Sequence, residues 1–154
     1  MGFVVGQTTW QAPCLVKSLA VGCSVLGGTL ICKSAGVAWI VAPPSTHVTG
    51  IWTDGLYCGI DLDRCCVCDW PSVQIALCNA GFNPSQWFIP SRDKLFNPGY
   101  VCRSLWCTCN TSPFWASTDF SANDAGAIAF DNGAFRVDNK ANNFNVRAFR
   151  CISY

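Results

Sequence analysis

The chain contains no glutamate: all nine of its acidic residues are aspartate, and against ten basic residues they leave a net charge of +1. Charged residues make up only 12% of the sequence. So sparse and unclustered a set of Lys and Arg argues against nucleic-acid binding, which needs positive charge gathered on one surface. Histidine is almost missing as well. His47 is the single one; it lies in the loop from Ser45 to Gly50 with no partner apparent in sequence, so a solvated side chain is expected there rather than a catalytic one. Any general acid or base other than Asp would fall to His47, Cys or Tyr. Long apolar runs are also lacking, because the stretch from Leu15 to Ile31 is broken by Lys17, Gly22, Gly27 and Gly28 and is too short to cross a bilayer. Residues 1–13 carry no Lys or Arg, so a secretory signal with a positive start is not expected.

What the chain has in abundance is cysteine, with twelve in 154 residues. Cys58, Cys65, Cys66, Cys68, Cys78, Cys102, Cys107 and Cys109 cluster in the middle third, while Cys14, Cys23, Cys32 and Cys151 lie outside it. Such density points first to a disulfide scaffold. Two alternatives stay open: a zinc site built from Cys65-x-x-Cys68 and Cys107-x-Cys109, and a set of mostly free buried thiols. Bridges would place the protein outside a reducing cytoplasm. With no export signal, two readings stay open on equal terms: a virion component released by lysis and oxidised afterwards, and a chain that stays reduced.

Seven Trp and ten Phe, with thirteen Gly and eight Pro, suggest an aromatic core among irregular loops. One domain of α+β class is expected over residues 26–154, preceded by a hydrophobic leader, 1–25. The leader gives no clear helix, and Phe3-Val4-Val5 and Leu15-Val16 read as short strands; it either packs on the domain or anchors to a partner. Gly27 to Pro44 reads as two strands joined by a turn over Lys33 to Gly36. Asp61 and Asp63 read as loop residues rather than calcium ligands, and Asn110-Thr111-Ser112 as a chance glycosylation sequon. Pro71 to Ala80 reads as a helix, with Asp69 or Trp70 at its N-cap, Gly81 past its end, and Val73, Leu77 and Ala80 as its apolar stripe. Ser91 can cap a second short helix that Asn97-Pro98-Gly99 stops. Trp87-Phe88-Ile89 between them looks like a buried extended segment.

The stretch from Phe114 onward reads as a hairpin plus a closing strand. Asn132-Gly133 suits a two-residue type I′ turn, which would set Phe130 opposite Phe135 and Ile128 opposite Val137 as an apolar ladder. The closing strand would carry Phe144, Val146, Ala148, Arg150 and Ile152 on one side. Arg150 interrupts that face and is expected to pair with Asp119 or Asp93.

These pieces, in order, resemble a known family. Gly28-Thr-Leu-Ile31, Trp39-Ile-Val-Ala-Pro43 and Thr49-Gly-Ile-Trp52 are followed by Trp87-Phe-Ile-Pro-Ser-Arg-Asp-Lys-Leu95, Phe114-Trp-Ala-Ser-Thr-Asp119, Phe130-Asp-Asn-Gly133 and Val146-Arg-Ala-Phe-Arg-Cys151. The series is similar to the C-terminal domain of collagen-like bacterial adhesins and of phage tail fibres. That resemblance implies a C-type-lectin-like fold: a twisted, mostly antiparallel sheet with two short helices and a loop-rich face, to which this chain adds long Cys-rich loops and the 1–25 leader, neither with a counterpart in the family pattern. It implies a non-enzymatic phage virion protein of the tail-fibre or appendage kind, binding a host cell-surface glycan or protein through an exposed C-terminal surface. Here that surface would be formed by Asp119, Ser121, Asn123, Asp124, Asn132, Asp138, Asn139, Asn142 and Asn143, whose short polar side chains suit adaptable hydrogen bonding on a rigid support. The plainer reading is that Asn fills turns. The Glu-Pro-Asn, Gln-Pro-Asp and Trp-Asn-Asp motifs of calcium-dependent lectins do not occur, so neither calcium nor any other cofactor is expected. Asp119 stands where relatives usually carry Glu, which leaves the partner of Arg147 or Arg150 open. Other virion or fibre subunits are the expected partners, in a homo- or hetero-oligomer. A purely structural fibre subunit and a secreted or cell-surface adhesin are the rivals, and an enzyme akin to the formylglycine-generating oxidases is a distant fourth.

Overall fold

The computed structural model describes residues 12–52, 70–107 and 112–154. The expected strand at Phe3-Val5, the Asp61/Asp63 loop, Asp69, the sequon residues Asn110 and Thr111, and Cys58, Cys65, Cys66, Cys68 and Cys109, with the zinc alternative that needs them, lie outside these residues.

The class is α+β with mostly antiparallel sheets, but among the described residues there are two sheets rather than one. Strands β1 (Ser24–Val25), β2 (Gly28–Ser34), β3 (Val37–Val41) and β9 (Phe149–Ser153) form an antiparallel sheet in the order β1-β2-β3-β9. Strands β4 (Val48–Gly50), β5 (Phe114–Asp119), β6 (Asp124–Ile128), β7 (Phe135–Asn139) and β8 (Phe144–Val146) form the other, in the order β4-β8-β5-β6-β7, with β5 and β8 parallel. The closing strand expected from Phe144 to Ile152 is therefore divided. It leaves one sheet and enters the other across Arg147-Ala148, and from Asn145 to Arg150 every residue is buried, so over that span the expected period-2 burial is absent.

Among the described residues the α-helices are three, not two. Helix α1 (Ala12–Ser18) takes in Leu15-Val16, which read as a strand. Ala12 and Val16 are one helical turn apart and both fully buried, and that spacing of four fits a helix. Both join Val25 in the main core cluster, so this part of the leader packs on the domain. Helix α2 (Pro71–Asn79) matches its expected limits, with Trp70 as N-cap and Pro71 in the first position. It closes with Phe82 N–H on Leu77 O at 2.9 Å and Gly81 N–H on Cys78 O at 3.0 Å, the paired bonds of a Schellman end. Val73 and Leu77 are buried, whereas Ala80 is exposed. Helix α3 (Arg92–Lys94) is capped by Ser91, whose hydroxyl accepts from Lys94 N–H at 3.3 Å.

Two core clusters lie on opposite faces of the strands. Leu30, Ala38 and Ile40 join Trp115, Ala127 and Val146 with Val16, Leu77 and Trp87. Their neighbours Ile31, Trp39 and Val41 join Phe114, Ile128 and Phe149 with Leu95 and Trp106. Strands covered on both faces read as continuous apolar runs, which is how Val37 to Ala42 is written.

The hairpin register differs from expectation by two residues. Ile128 faces Phe135 and Gly126 faces Val137. Ala129 N–H bonds Ala134 O at 2.9 Å, so the loop spans four residues, Phe130 to Gly133, instead of two. Phe130 is the reason. Its ring is 4.3 Å from that of Phe114, 5.3 Å from Tyr100 and 5.7 Å from Trp106, so it turns inward as a core residue and cannot serve as a ladder partner. Asn132 Oδ1 accepts from Ala134 N–H at 2.9 Å and closes the turn locally. A shift of two keeps each residue on its expected face. Phe135 and Val137, however, are 48% and 53% exposed.

Candidate functional site

Eight of the nine candidate residues gather at one end of the five-stranded sheet. Asp119 ends β5, Ser121 and Asn123 sit in the following loop, Asp124 starts β6 opposite Asn139 at the end of β7, Asp138 precedes Asn139, and Asn142 and Asn143 follow in the next loop. Asn132 does not join them, because it lies in the turn at the other end of the β6–β7 hairpin.

The residue that holds this end together was not legible in sequence. Lys140 Nζ pairs with Asp119 Oδ1 at 2.8 Å, donates to Ser121 O at 2.7 Å and lies 4.5 Å from the centre of the Trp52 ring. Its backbone N–H bonds Asn123 O at 2.7 Å and its carbonyl accepts from Trp52 N–H at 2.9 Å. Trp52 is in turn fixed by its indole N–H on Ala116 O at 2.8 Å. The loops 120–123 and 140–143 are thus clamped side by side through one cation, which also takes Asp119, one of the two carboxylates expected as a partner of Arg150.

Some candidates spend their side chains on their own turns. Ser121 Oγ accepts from Asn123 and Asp124 N–H at 3.3 and 3.0 Å, and Asn139 Oδ1 from Ala141 N–H at 2.9 Å. Asp138 accepts two bonds from Arg136, at 2.7 and 2.8 Å. Asn123, Asn142 and Asn143 are exposed on the two clamped loops. For Ser121, Asn132 and Asn139, then, turn formation accounts for the residue type, and the outward-facing polar set narrows to Asn123, Asn142 and Asn143, with Asp124 half-buried beside them.

The arginines behave differently from expectation. Arg150, 7% exposed, donates to Gln86 Oε1 at 3.4 Å and lies over the Trp87 ring at 5.9 Å. Arg147, 5% exposed, donates to Ala42 O at 3.0 Å and to His47 Nδ1 from Nη2 at 3.1 Å. Burial pushes the Arg147 pKa down to about 10 and lowers that of Arg150.

His47 is not the solvated side chain expected. A guanidinium can only donate, so Nδ1 accepts, and the ring proton sits on Nε2, which donates to Asn145 Oδ1 at 3.0 Å. Burial lowers its pKa, the Asn145 bond opposes that, and the Arg147 charge adds to the lowering. Both nitrogens are occupied, so His47 works as a neutral strut between β4 and β8. Asn145, part of the Asn-rich tract, is buried and reaches Ser112 O at 3.3 Å instead of facing solvent.

Of the described cysteines, Cys14, Cys23, Cys32, Cys78 and Cys102 are free thiols, so they do not bridge one another, and Cys107 is disulfide-bonded. Burial, and after it the neighbouring Cys32, raise the Cys102 pKa. A cleft of about 320 Å³ is lined by Cys32, Trp39, Lys94 and Pro98 among others. Among the described residues no helix is long and apolar enough to cross a membrane, and no three His, Cys or Asp side chains group as metal ligands.

No protein-family model and no curated protein sequence matches this chain.

Proposed function

We propose that this chain is a non-enzymatic phage virion protein, a tail-fibre or appendage subunit whose C-type-lectin-like domain binds a host cell-surface glycan or protein without calcium. The observation that carries the reading is the clamp at Lys140. It fixes two loops side by side and leaves Asn123, Asn142 and Asn143 exposed, so that little ordering entropy is lost when a ligand docks. An amide offers both donors and acceptors, which suits a sugar hydroxyl or a peptide group.

The test is binding of the purified chain to candidate host cells, with and without chelator, beside a variant with Ala at Asn123, Asn142 and Asn143. Loss of binding in the variant, with no effect of chelator, is the expected result. The Asn132→Ala variant serves as control, since Asn132 is at the far end of the hairpin, and should bind as the parent does. Equal binding by the triple variant and the parent would sink the receptor surface. The structural-subunit reading is favoured by a different feature, the exposed Phe120, Phe135 and Val137 on and beside β7.

A further inference from the structure

Strand β7 ends the five-stranded sheet, and among the described residues no strand pairs with its outer side. Phe135 is 48% exposed, Val137 53% and Phe120 46%. They form one patch. Gly126 pairs with Val137, and a Cβ at Gly126 would meet the Phe120 ring at 3.2 Å, so Phe120 lies alongside Val137 on the same face. The Arg92 guanidinium lies over both Phe120 and Phe135, at 5.0 and 4.5 Å from the ring centres. An uncovered edge strand carrying an apolar patch is a site at which another strand adds.

The register tells which backbone groups point outward. Ala129 N–H to Ala134 O and Lys140 N–H to Asn123 O are hydrogen bonds at the two ends of the hairpin ladder. Bonded and non-bonded pairs alternate along an antiparallel ladder, so between those ends Ala127–Arg136 and Ala125–Asp138 are the bonded pairs. Arg136 and Asp138 therefore turn their N–H and C=O toward β6. Phe135, Val137 and Asn139 direct theirs away from the sheet.

We propose that β7 pairs with β7 of a second copy of this chain, antiparallel about a two-fold axis through Val137. In that register Val137 faces its own counterpart and Phe135 faces Asn139 of the second copy, and these are the residues whose backbone groups point outward. Arg136 faces Asp138 of the second copy, and Asp138 faces its Arg136. The segment Phe135-Arg136-Val137-Asp138-Asn139 is thus self-complementary when antiparallel, whereas parallel in-register pairing would set Arg136 against Arg136. This charge arrangement selects a second copy over an unrelated strand, as an isologous interface requires. The axis runs perpendicular to the sheet, so Phe120, Phe135 and Val137 of both copies fall on one face and leave water together. The proposal does not depend on the receptor reading, because the Asn loops lie beyond the end of β7.

The test is sedimentation of the purified full chain over a concentration series. A dimer is expected, with Arg136→Asp and Asp138→Arg each raising the dissociation constant at least about tenfold, and the R136D/D138R double variant restoring it. Mixing the two single variants should give a heterodimer tighter than either alone, a result that loss of structure cannot produce. Val137→Pro removes an outward N–H and no bond to β6, so it should abolish the dimer. A monomer at every concentration, another stoichiometry, charge reversals without effect, no gain on mixing, or a dimer that survives Val137→Pro with its fold intact would each overturn the proposal. If Val137→Pro fails to fold, the mixing experiment decides.

Discussion

Two hairpins of this protein, β2–β3 and β6–β7, make their turns in opposite ways. Between β2 and β3 the turn residues are Ala35 and Gly36, with φ of 52° and 77°, so both central positions are left-handed as a type I′ turn requires. Alanine is poorly suited to that conformation, yet the tight turn forms, because the flanking strands are held in the cores on both sides of the sheet. Between β6 and β7 the sequence supplies Asn132-Gly133, far better turn chemistry, and the tight turn does not form. Phe130 is drawn into the Phe114, Tyr100 and Trp106 cluster, and the loop lengthens to let it reach. Burying a large aromatic ring outweighs the local preference of two turn residues, by magnitudes of about 3 kcal/mol against about 1.

The largest test of this contrast is Phe130→Ala. It should destabilise by roughly 3–5 kcal/mol in chemical denaturation; a loss below about 1 kcal/mol would mean the ring is not what sets the loop. Gly133→Ala comes next. Gly133 has φ of 77°, and a Cβ there would sit 2.6 Å from the Tyr100 ring. The left-handed conformation alone costs about 1–2 kcal/mol for an L-residue, and displacing Tyr100 adds to it, so the measured loss should exceed that range. Ala35→Gly should do the reverse and stabilise by up to about 1 kcal/mol, the relief of strain less the added freedom of the unfolded chain. Destabilisation there would remove the contrast between the turns.

The seam joining the two sheets offers a pH control. The folded pKa of His47 is lowered, so below the unfolded value of about 6.5 the unfolded chain binds more protons and stability falls as pH falls. Above that pH the contribution is intact. Stability profiles of the parent and His47→Gln should diverge below about pH 6.5, the variant being flatter, while the increments for Phe130→Ala and Ala35→Gly stay the same at both pH values. Smallest of all, Asn142→Ala should change stability by less than about 0.5 kcal/mol. A larger loss would mean that the candidate surface is part of the scaffold.

What sequence could reveal depended on how near each residue's partners lie along the chain. Helix α2 was legible because Pro71, Val73, Leu77 and Gly81 are all within its own few turns, and the Ser91 cap because it acts on Lys94. The polar end of the five-stranded sheet was legible in outline, since Ser and Asn concentrate in its loops. Lys140 was not, because Asp119, Trp52 and Ser121 come from other parts of the chain. Arg150 was rightly expected to be buried, but its partner proved to be Gln86 rather than an acid.

The amino-acid sequence by itself determined the mixed class, the β2 and β3 strands, the two capped helices and which face each hairpin residue takes, because turn, cap and periodicity preferences act over a few residues. Tertiary structure alone decided the length of the β6–β7 loop, the passage from one sheet to the other at Arg147-Ala148, the neutral strut at His47 and the clamp at Lys140. Each of these turns on burying a ring or a charge against groups far away in sequence, and such energies exist only once the sheets have met.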